Sequence, residues 1–360
     1  MDERGCFVPA AKDLAGVFVK KGDKTVIAML KDKGLLFKEM VYEHSYPHCW
    51  RCDTPLLYYA RESWFIKVTA VKDELIAANN SVHWMPETIK SGRMGNFLEN
   101  VIDWGLSRDR YWGTPLPVWV CKKCGKVHVI GSKEELKKLC GLSGDVELHR
   151  PYIDGCTFPC ECGGVMERTP EVIDCWFDSG SMPFAQHHYP FENQELFEAQ
   201  FPADFISEAV DQTRGWFYSL LAISTLLFNK APFKNVIVLG HVQDQFGQKM
   251  SKSKGNAISP FEALEKYGAD PIRWYFLSNS APWLPNKFYD KAVLDGQRRF
   301  LGTLYNTYAF YVLYADIYQF DPTKHPLEQS ALTVMDRWIL SRLNHTVGEV
   351  DDHMANYRLP

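Results

Sequence analysis

The stretch that decides the fold is Val236-Ile237-Val238-Leu239-Gly240-His241, which leads into Lys249-Met250-Ser251-Lys252-Ser253-Lys254-Gly255-Asn256. Its first four residues are apolar and mostly β-branched, which predicts a buried strand. Ser259-Pro260 predicts a helix start, because proline fits the first helical turn. The segment between strand and helix, residues 240–256, is called the lysine loop here. Open α/β sheets bind ligands at the carboxyl ends of their strands, and lysines there bind phosphate as point charges.

Composition excludes several classes of protein. With 360 residues, 46% of them hydrophobic and 23% charged, the chain can bury the cores of two or three domains and is not disordered. The net charge of -4 does not indicate a general nucleic-acid binder, so any RNA contact must use local patches. No apolar run approaches the ~18 residues of a membrane span, and no signal peptide is visible. We therefore expect a cytoplasmic protein without a membrane partner.

A strand–helix–strand unit surrounds this stretch. Residues 205–209 read as a strand, residues 211–228 as a buried helix capped by Asp211, and residues 236–239 as the next strand. This order predicts parallel pairing in an α/β sheet of the Rossmann type. Residues 172–181 read as a further strand that ends in a turn of small residues. The chain has neither a Gly-x-x-x-x-Gly-Lys-Ser/Thr loop nor a Gly-x-Gly-x-x-Gly loop, so a nucleotide must be bound in another way.

Two tryptophans and two polar residues suggest a small pocket at the strand ends. Gln212 and Trp216 are four residues apart on the predicted helix and share a face. Glu208 precedes that helix, and Trp176 ends the strand predicted at 172–181. Together they would offer an apolar wall and a polar anchor for an ammonium group. The alternative is that both tryptophans are ordinary core residues.

The ten cysteines indicate metal binding in a reducing compartment rather than a disulfide scaffold. Cys121-x-x-Cys124 and Cys160-x-Cys162 are each followed by glycine, and four thiolates in two tight pairs suit tetrahedral zinc. Cys156 is a competing ligand for this zinc-ribbon site. Cys49-x-x-Cys52 reads as half of a second site, or as two unligated cysteines near a turn. Neither Cys121–Cys124 nor Cys160–Cys162 has the context of a thioredoxin-like redox motif.

Helical patterns occupy much of the rest. Residues 62–100 read as helices, one of which begins at Met85-Pro86 and is broken by Gly92 and Gly95. Another begins at Asp270. Long apolar periodicities over 300–318 and 335–350 predict the start of an α-helical bundle.

The order Lys249-Met250-Ser251-Lys252-Ser253 resembles the KMSKS signature of class I aminoacyl-tRNA synthetases, which sets it apart from an ordinary solvated lysine cluster. Trp104-x-x-Ser107-Arg108 with Tyr111-Trp112-Gly113 is similar to the segment where the chain of these enzymes returns from the inserted editing domain, except that Gly105 stands where cysteine is common. The runs 174–180 and 211–217 resemble those of the isoleucine members, whereas valine members tend to carry serine at the position of Asp178. The resemblance covers essentially the whole chain.

The resemblance implies an isoleucine–tRNA ligase that uses ATP, Mg2+, L-isoleucine and tRNA(Ile), contains Zn2+, and is a monomer at full length. It implies a catalytic set of Lys249, Ser251, Lys252 and Ser253. The implied ATP and adenylate set is Asp211, Gly240, His241, Met250 and Lys252. The implied isoleucine set is Trp176, Glu208, Gln212 and Trp216. The implied metal set is Cys121, Cys124, Cys160 and Cys162, with Cys49 and Cys52 as a half-site completed by a cysteine pair upstream.

The resemblance also implies a division into segments. These are the trailing edge of the editing insertion (1–40), a return to the catalytic domain (41–118), a zinc-ribbon insertion (119–170), the second half of the catalytic fold (171–258), a connecting region (259–300) and the start of an anticodon-binding bundle (301–360). The family's HIGH motif is absent, so we expect an interior fragment that does not form isoleucyl-adenylate at a normal rate by itself. The alternatives are a valine–tRNA ligase fragment and a non-catalytic zinc-ribbon protein that binds RNA without ATP.

Overall fold

The structure, a computed structural model, describes residues 1–49, 52–58, 60, 62–251 and 255–359. The chain forms two compact units, Met1–Ser63 and Trp64–Pro360. The first unit contains helix α1 (Asp23–Asp32) and two 3-10 turns at Pro9–Leu14 and Val19–Lys21.

The second unit contains the sheets and the remaining described helices. Its strands are β1 (Phe65–Ile66), β2 (His83–Met85), β3 (Trp104–Gly105), β4 (Ser107–Arg108), β5 (Val118–Cys121), β6 (Val127–Val129), β7 (Phe158–Pro159), β8 (Val165–Arg168), β9 (Val172–Ile173), β10 (Ala203–Ala209), β11 (Phe233–Leu239), β12 (Val242–Gln243) and β13 (Asn286–Lys287). Its α-helices are α2 (Lys72–Ser81), α3 (Gly95–Glu99), α4 (Lys133–Cys140), α5 (Cys175–Gly180), α6 (Met182–Ala185), α7 (Gln194–Gln200), α8 (Trp216–Phe228), α9 (Pro260–Tyr267), α10 (Ala269–Ser278), α11 (Asp290–Gly296), α12 (Thr303–Tyr318) and α13 (Val334–Ala355). Two π-helical turns, Lys90–Met94 and Gln297–Gly302, lead directly into α3 and α12.

The central sheet has the strand order β10-β11-β2, and both pairings are parallel. Strands β10 and β11 are joined through α8, which confirms the predicted strand–helix–strand unit. The inner residues Val236, Ile237 and Val238 of β11 are buried, as a strand flanked on both sides requires.

The main core lies between this sheet and helices α2, α3 and α8. Helix α8 is apolar on nearly every side, and Phe217, Leu220 and Leu221 on it are almost completely buried. The edge of Trp84 meets the rings of Phe217 and Phe233, with ring centroids 5.7 and 6.1 Å apart. Such edge-to-face contacts stabilise aromatic pairs beyond their area burial.

Two elements differ from the sequence predictions around α8. Residues 172–181 do not form one strand: β9 ends at Ile173, and the side chain of Asp174 accepts a hydrogen bond from the Trp176 N–H at 3.3 Å and begins α5. Residues 211–228 do not form one helix, because a 3-10 turn at Val210–Arg214 precedes α8. The N-cap position of α8 is Gly215 and not Asp211, and the Trp216 N–H at the first turn donates to Gln212 Oε1 at 2.9 Å.

The region predicted as helices over 62–100 also contains strand β2. Gly92 and Gly95 do not break the helical segment that follows it. Met94 and Leu98 on that segment are fully buried, and Asn79 Nδ2 donates to Lys90 O at 3.1 Å. Burial of these side chains outweighs a helix propensity difference of about 1 kcal/mol per glycine.

Two smaller assemblies complete the second unit. The antiparallel sheet β6-β5-β8-β7 and helix α4 enclose a core that includes Trp119, Leu136 and Phe158. Helices α9, α10 and α11 pack with β13 around Tyr267, Tyr275 and Phe288. Helices α12 and α13, both wholly within the described residues, contain no buried side chain. None of the described helices combines the length and apolar character needed to cross a bilayer.

Phe217 supplies the first test of this packing. Phe217→Ala is expected to lower the free energy of unfolding by about 3–5 kcal/mol, because it leaves a cavity beside Trp84 and Phe233. Urea denaturation followed by circular dichroism measures this change. Phe261→Ala is the matched control, since Phe261 on α9 is 80% exposed, and should cost about 0.5 kcal/mol or less. Equal effects of the two substitutions would contradict the described core.

Candidate functional site

The carboxyl ends of β10 and β11 lie side by side. Ala209 and Leu239 are register partners at this edge, and Glu208 is opposite Val238. Glu208 and Asp211 are exposed, and Gly240 and His241 follow directly after β11. The structure therefore brings four of the residues singled out in the sequence to one edge of the parallel sheet.

Gly240 turns the chain away from this edge. Its N–H donates to Pro282 O at 2.9 Å, and a Cβ at this position would lie 2.3 Å from Leu284 O. Only glycine allows so close an approach of two backbones. Asn286 N–H then donates to His241 O at 3.0 Å, and β12 pairs in parallel with β13. The start of the lysine loop is thus fixed on the segment 282–287.

In the described part of the lysine loop, Lys249 faces solvent and the next residue, Met250, is held in place by packing. Lys249 is exposed, and its backbone forms an isolated antiparallel β-bridge with Gln243. Met250 is partly buried and packs against the cluster that contains Tyr267, Tyr275 and Phe288. Ser251 N–H donates to Asn256 Oδ1 at 2.9 Å. The predicted residues Lys252 and Ser253 lie outside the described residues.

The two tryptophans meet at the start of α8. Helix α5 packs closely on α8, where a Cβ on Gly180 would lie 2.8 Å from Ser219 O. Trp216 Nε1 donates to Ser179 O at 3.1 Å, and the ring of Trp176 lies beside Gly215. Trp176 remains 42% exposed, so it is not a plain core residue.

Trp216 also faces an apolar cavity of about 140 Å³. This space is lined in part by Phe201, Ile206, Leu220 and Phe233. Trp176 does not border it. Only Trp216 of the two indoles therefore borders this cavity, and a shared pocket for Trp176 and Trp216 stays a prediction.

Asp174 holds α5, and with it Trp176, in place. Its carboxylate is buried and accepts from Arg108 Nη2 at 2.7 Å and from Trp104 Nε1 at 3.2 Å, in addition to capping α5. Arg108 thus forms an ion pair with a buried carboxylate, which gives this arginine a structural role. Four residues after Asp174, within α5, burial raises the pKa of the Asp178 carboxyl, and Thr114 Oγ1 donates to it at 3.1 Å.

Four cysteines from two separate segments converge in the antiparallel sheet. The sulfur atoms of Cys121, Cys124, Cys160 and Cys162 all lie within 4.8 Å of one another. The Cys121–Cys162 and Cys124–Cys160 sulfur distances are 3.5 and 3.8 Å. Four thiolates held at ~2.3 Å from a tetrahedral ion would be roughly 3.8 Å apart. The geometry therefore fits a four-coordinate metal.

The thiol pKa values in this cluster diverge. Backbone hydrogen bonding from Cys124 lowers the pKa of Cys121 to about 6. Hydrogen bonding to neighbouring sulfurs, Cys124 first, raises the pKa of Cys162 to about 12. The pKa of Cys121 favours a thiolate and that of Cys162 a thiol, and a cation bound between the sulfurs would favour ionisation of Cys162 as well.

The remaining cysteines lie elsewhere. Cys156 is buried in the core of the same antiparallel sheet and is not a member of the four-sulfur cluster. In the first unit, Cys49 N–H donates to Thr54 O at 2.9 Å, and Cys52 Sγ lies 3.1 Å from Thr54 Oγ1. Cys49 and Cys52 thus sit in a turn, and their completion by another cysteine pair stays a prediction.

Residues 10–284 match the family model for tRNA synthetases class I (I, L, M and V), and this match covers more than half of the chain. The chain belongs to this family. It is 57% identical over 361 aligned positions to an isoleucine–tRNA ligase of Clostridium novyi, and 54% identical to one of Bacillus thuringiensis. These alignments cover 100% and 99% of this chain and 35% of each relative. The chain thus spans about a third of the length of the curated relatives it matches.

Two solved synthetase structures share the fold. A Mycobacterium tuberculosis methionyl-tRNA synthetase in complex with methionyl-adenylate superposes with a TM-score of 0.59 at 18% identity, over 87% of this chain and 52% of that one. An Agrobacterium radiobacter LeuRS in a ternary complex with tRNA and LeuAMS gives 0.56 at 21% identity, over 76% and 37%. At these identities the similarity concerns the class I synthetase fold alone.

Three residues that organise the candidate site are not singled out by the sequence patterns. Asp174 falls within the strand predicted at 172–181, although aspartate before an apolar run is also a common helix cap. The hydrogen bond between Asp244 and Asn256 joins positions twelve residues apart, so no local pattern predicts that these two side chains meet.

The brace of α5 is testable through Asp174. Asp174→Ala removes the cap of α5 and the carboxylate that accepts hydrogen bonds from Arg108 and Trp104. The free energy of unfolding should therefore fall by about 2–4 kcal/mol. Urea denaturation measures this loss. Asp204→Ala is the control, because Asp204 pairs with Lys234 on the surface at 2.7 Å and such pairs contribute little. A loss no larger than that of the control would show that Asp174 does not brace α5.

Proposed function

We propose that the chain is part of an isoleucine–tRNA ligase, which joins L-isoleucine to ATP as isoleucyl-adenylate and transfers it to tRNA(Ile). One observation carries the proposal. The carboxyl ends of β10 and β11 lie side by side, the lysine loop begins directly after β11, and helices α5 and α8 bring Trp176 and Trp216 together. The isoleucine–tRNA ligase relatives, similar over the whole chain, support the choice of amino acid.

The lysine loop supplies positive charge for the activation step. The isoleucine carboxylate attacks the α-phosphorus of ATP, and pyrophosphate leaves with its electron pair. Lys249, exposed at the base of the loop, stabilises the charge that develops on the phosphates, and Lys252 and the Ser251 and Ser253 hydroxyls act beside it. Mg2+ accompanies ATP. Gly240, His241, Met250 and Asp211 are the proposed neighbours of the adenylate.

The start of α8 holds the amino acid. Trp176 and Trp216 offer apolar surface to the isoleucine side chain, while the Gln212 amide and the Glu208 carboxylate orient its ammonium group. Gln212 Oε1 already accepts from the Trp216 N–H, so the position of Gln212 is fixed before the ligand arrives. A pocket distinguishes one methylene by about 1–3 kcal/mol, a limit well known for isoleucine enzymes as a class.

We also propose that Cys121, Cys124, Cys160 and Cys162 bind Zn2+ as the structural site of an inserted zinc ribbon. A tetrahedral thiolate set without a position for water suits a structural role. The six-segment division of the chain, including an anticodon-binding bundle that begins with α12, is part of this proposal.

The activation chemistry is tested in a chimera. The aligned segment of the Clostridium novyi ligase is replaced by this chain, and ATP–pyrophosphate exchange is measured with isoleucine, valine, leucine and methionine. We expect isoleucine to be favoured over valine in kcat/KM by about 100-fold. Lys249→Ala should lower exchange by about 100-fold or more, because it removes charge from the phosphates. Lys324→Ala, a change at an exposed ion pair, is the control.

Two results would overturn the proposal. Exchange that favours valine would support a valine–tRNA ligase. Retained tRNA binding with no amino-acid-dependent exchange in a folded chimera would support a non-catalytic RNA-binding protein.

Metal binding has its own test. Refolding with Co2+ is expected to give the visible absorption of a tetrahedral thiolate site, with one ion per chain. Cys124→Ser should weaken binding and shift the spectrum, because it replaces one thiolate. Cys175→Ser is the control, since Cys175 is exposed and lies outside the cluster. If Cys175→Ser lost as much metal as Cys124→Ser, the proposed ligand set would be wrong.

A further inference from the structure

Asp244 and Asn256 stand at the two ends of the sequence signature in the lysine loop. Asp244 follows β12, whose pairing with β13 fixes its backbone. Asn256 follows the signature and precedes α9. Asn256 Nδ2 donates to Asp244 Oδ2 at 2.9 Å, so the side chains of these two residues connect the beginning and the end of the loop.

Asp244 also organises the turn before the signature. Its Oδ1 accepts from Phe246 N–H at 3.0 Å and from Gln248 N–H at 2.9 Å. Its own N–H donates to Gln248 O at 2.9 Å. Both carboxylate oxygens therefore act as acceptors, and hydrogen bonds to a charged acceptor are among the stronger ones.

Asn256 holds the signature itself. Its Oδ1 accepts from Ser251 N–H at 2.9 Å, and its Nδ2 lies 3.3 Å from Lys249 O, to which it donates a second, longer bond. The backbone on both sides of Met250 is thus tied to one amide, and that amide is tied to Asp244. This network orients the segment from which Lys249 extends.

We propose that Asp244 and Asn256 are positioning residues for the activation step, which orient the backbone at Lys249 and Ser251 so that Lys249 meets the ATP phosphates. This inference rests on the proposed function. In this proposal neither the Asp244 nor the Asn256 side chain touches the substrate. Their effect is exerted through the backbone of Lys249 and Ser251, and a small displacement of a charged group from its reacting partner can cost about 100-fold in rate.

The donor and acceptor pattern allows a test in which Asp244 and Asn256 are replaced by each other's residue type. In Asp244→Asn one terminal atom becomes a donor and faces either Asn256 Nδ2 or the two backbone N–H groups. In Asn256→Asp two carboxylates face each other. In the double variant Asp244→Asn/Asn256→Asp, the new Asn donates to the new Asp, and each still accepts from its backbone N–H groups. Of the bonds described above, the longer one to Lys249 O is lost, because a carboxylate oxygen cannot donate to it.

Loop order is measured in this chain by limited trypsin digestion, with cleavage after the loop lysines followed by mass spectrometry. Each single variant should raise the cleavage rate by about tenfold or more, since opening the loop no longer breaks a charged hydrogen bond. The double variant should return to within about threefold of the unchanged chain. Asp321→Asn is the matched control, because Asp321 also caps a turn through its Oδ1, at 3.0 Å from Thr323 N.

Positioning is measured by exchange kinetics in the chimera. The single variants should lower kcat by about 10- to 100-fold, raise KM for ATP and leave KM for isoleucine unchanged, and the double variant should recover most of kcat. The thermal midpoint should stay close to that of Asp321→Asn. A general structural role would move the midpoint and both KM values together.

The outcomes separate this inference from the proposed function. Single variants that are cleaved no faster than the unchanged chain overturn the inference. Faster cleavage with unchanged kcat overturns it as well, as does failure of the double variant to recover. A chimera without isoleucine-dependent exchange refutes the proposed function, and the trypsin result alone then decides whether Asp244 and Asn256 hold the loop.

Discussion

Burial of α8 against the parallel sheet fixes most of the candidate site. The helix is too apolar to face water, so it lies between the sheet and α2, with Phe217 and Leu221 excluded from solvent. Its first residue, Trp216, is thereby placed beside the end of β10. The close approach of α5 at Gly180 then positions Trp176 against the same end of the helix. The amino-acid side of the site is in this sense a consequence of core packing.

The nucleotide side depends on a different kind of constraint. Gly240 lets two backbones approach, and beyond it the described parts of the loop are held mainly by hydrogen bonds rather than by apolar burial. Met250 is the exception, since its side chain packs into the α9–α11 cluster. A network of polar contacts on the surface opens at lower cost than a core element. This difference suits the proposed role of the loop, which is to admit ATP and then close on it.

The parallel sheet and the cysteine cluster could be predicted from the sequence, because each has a local signal that survives folding. The apolar runs of β10, α8 and β11 have distinct periodicities, and the paired cysteines have ligand spacing. Strand β2 has only three residues and is defined by its pairing with β11, so no local pattern revealed it. The strand predicted over 172–181 was wrong for a related reason, because non-local packing decides the structure there. Trp176 and Phe177 favour strands by propensity, but the Asp174 cap and the packing on α8 impose a helix.

The anchoring of Met250 links events at the nucleotide to helices farther along the chain. If the lysine loop closes on ATP as proposed, the Met250 thioether either leaves its cluster, which forfeits up to about 2 kcal/mol of apolar burial, or carries the cluster with it. In the second case α11 moves as well, and the π-helical turn at Gln297–Gly302 connects α11 to α12 without interruption. Occupancy of the phosphate site would then be transmitted mechanically along a continuous helical rod. Methionine suits such a coupling element, since its flexible side chain keeps contact while its neighbours shift.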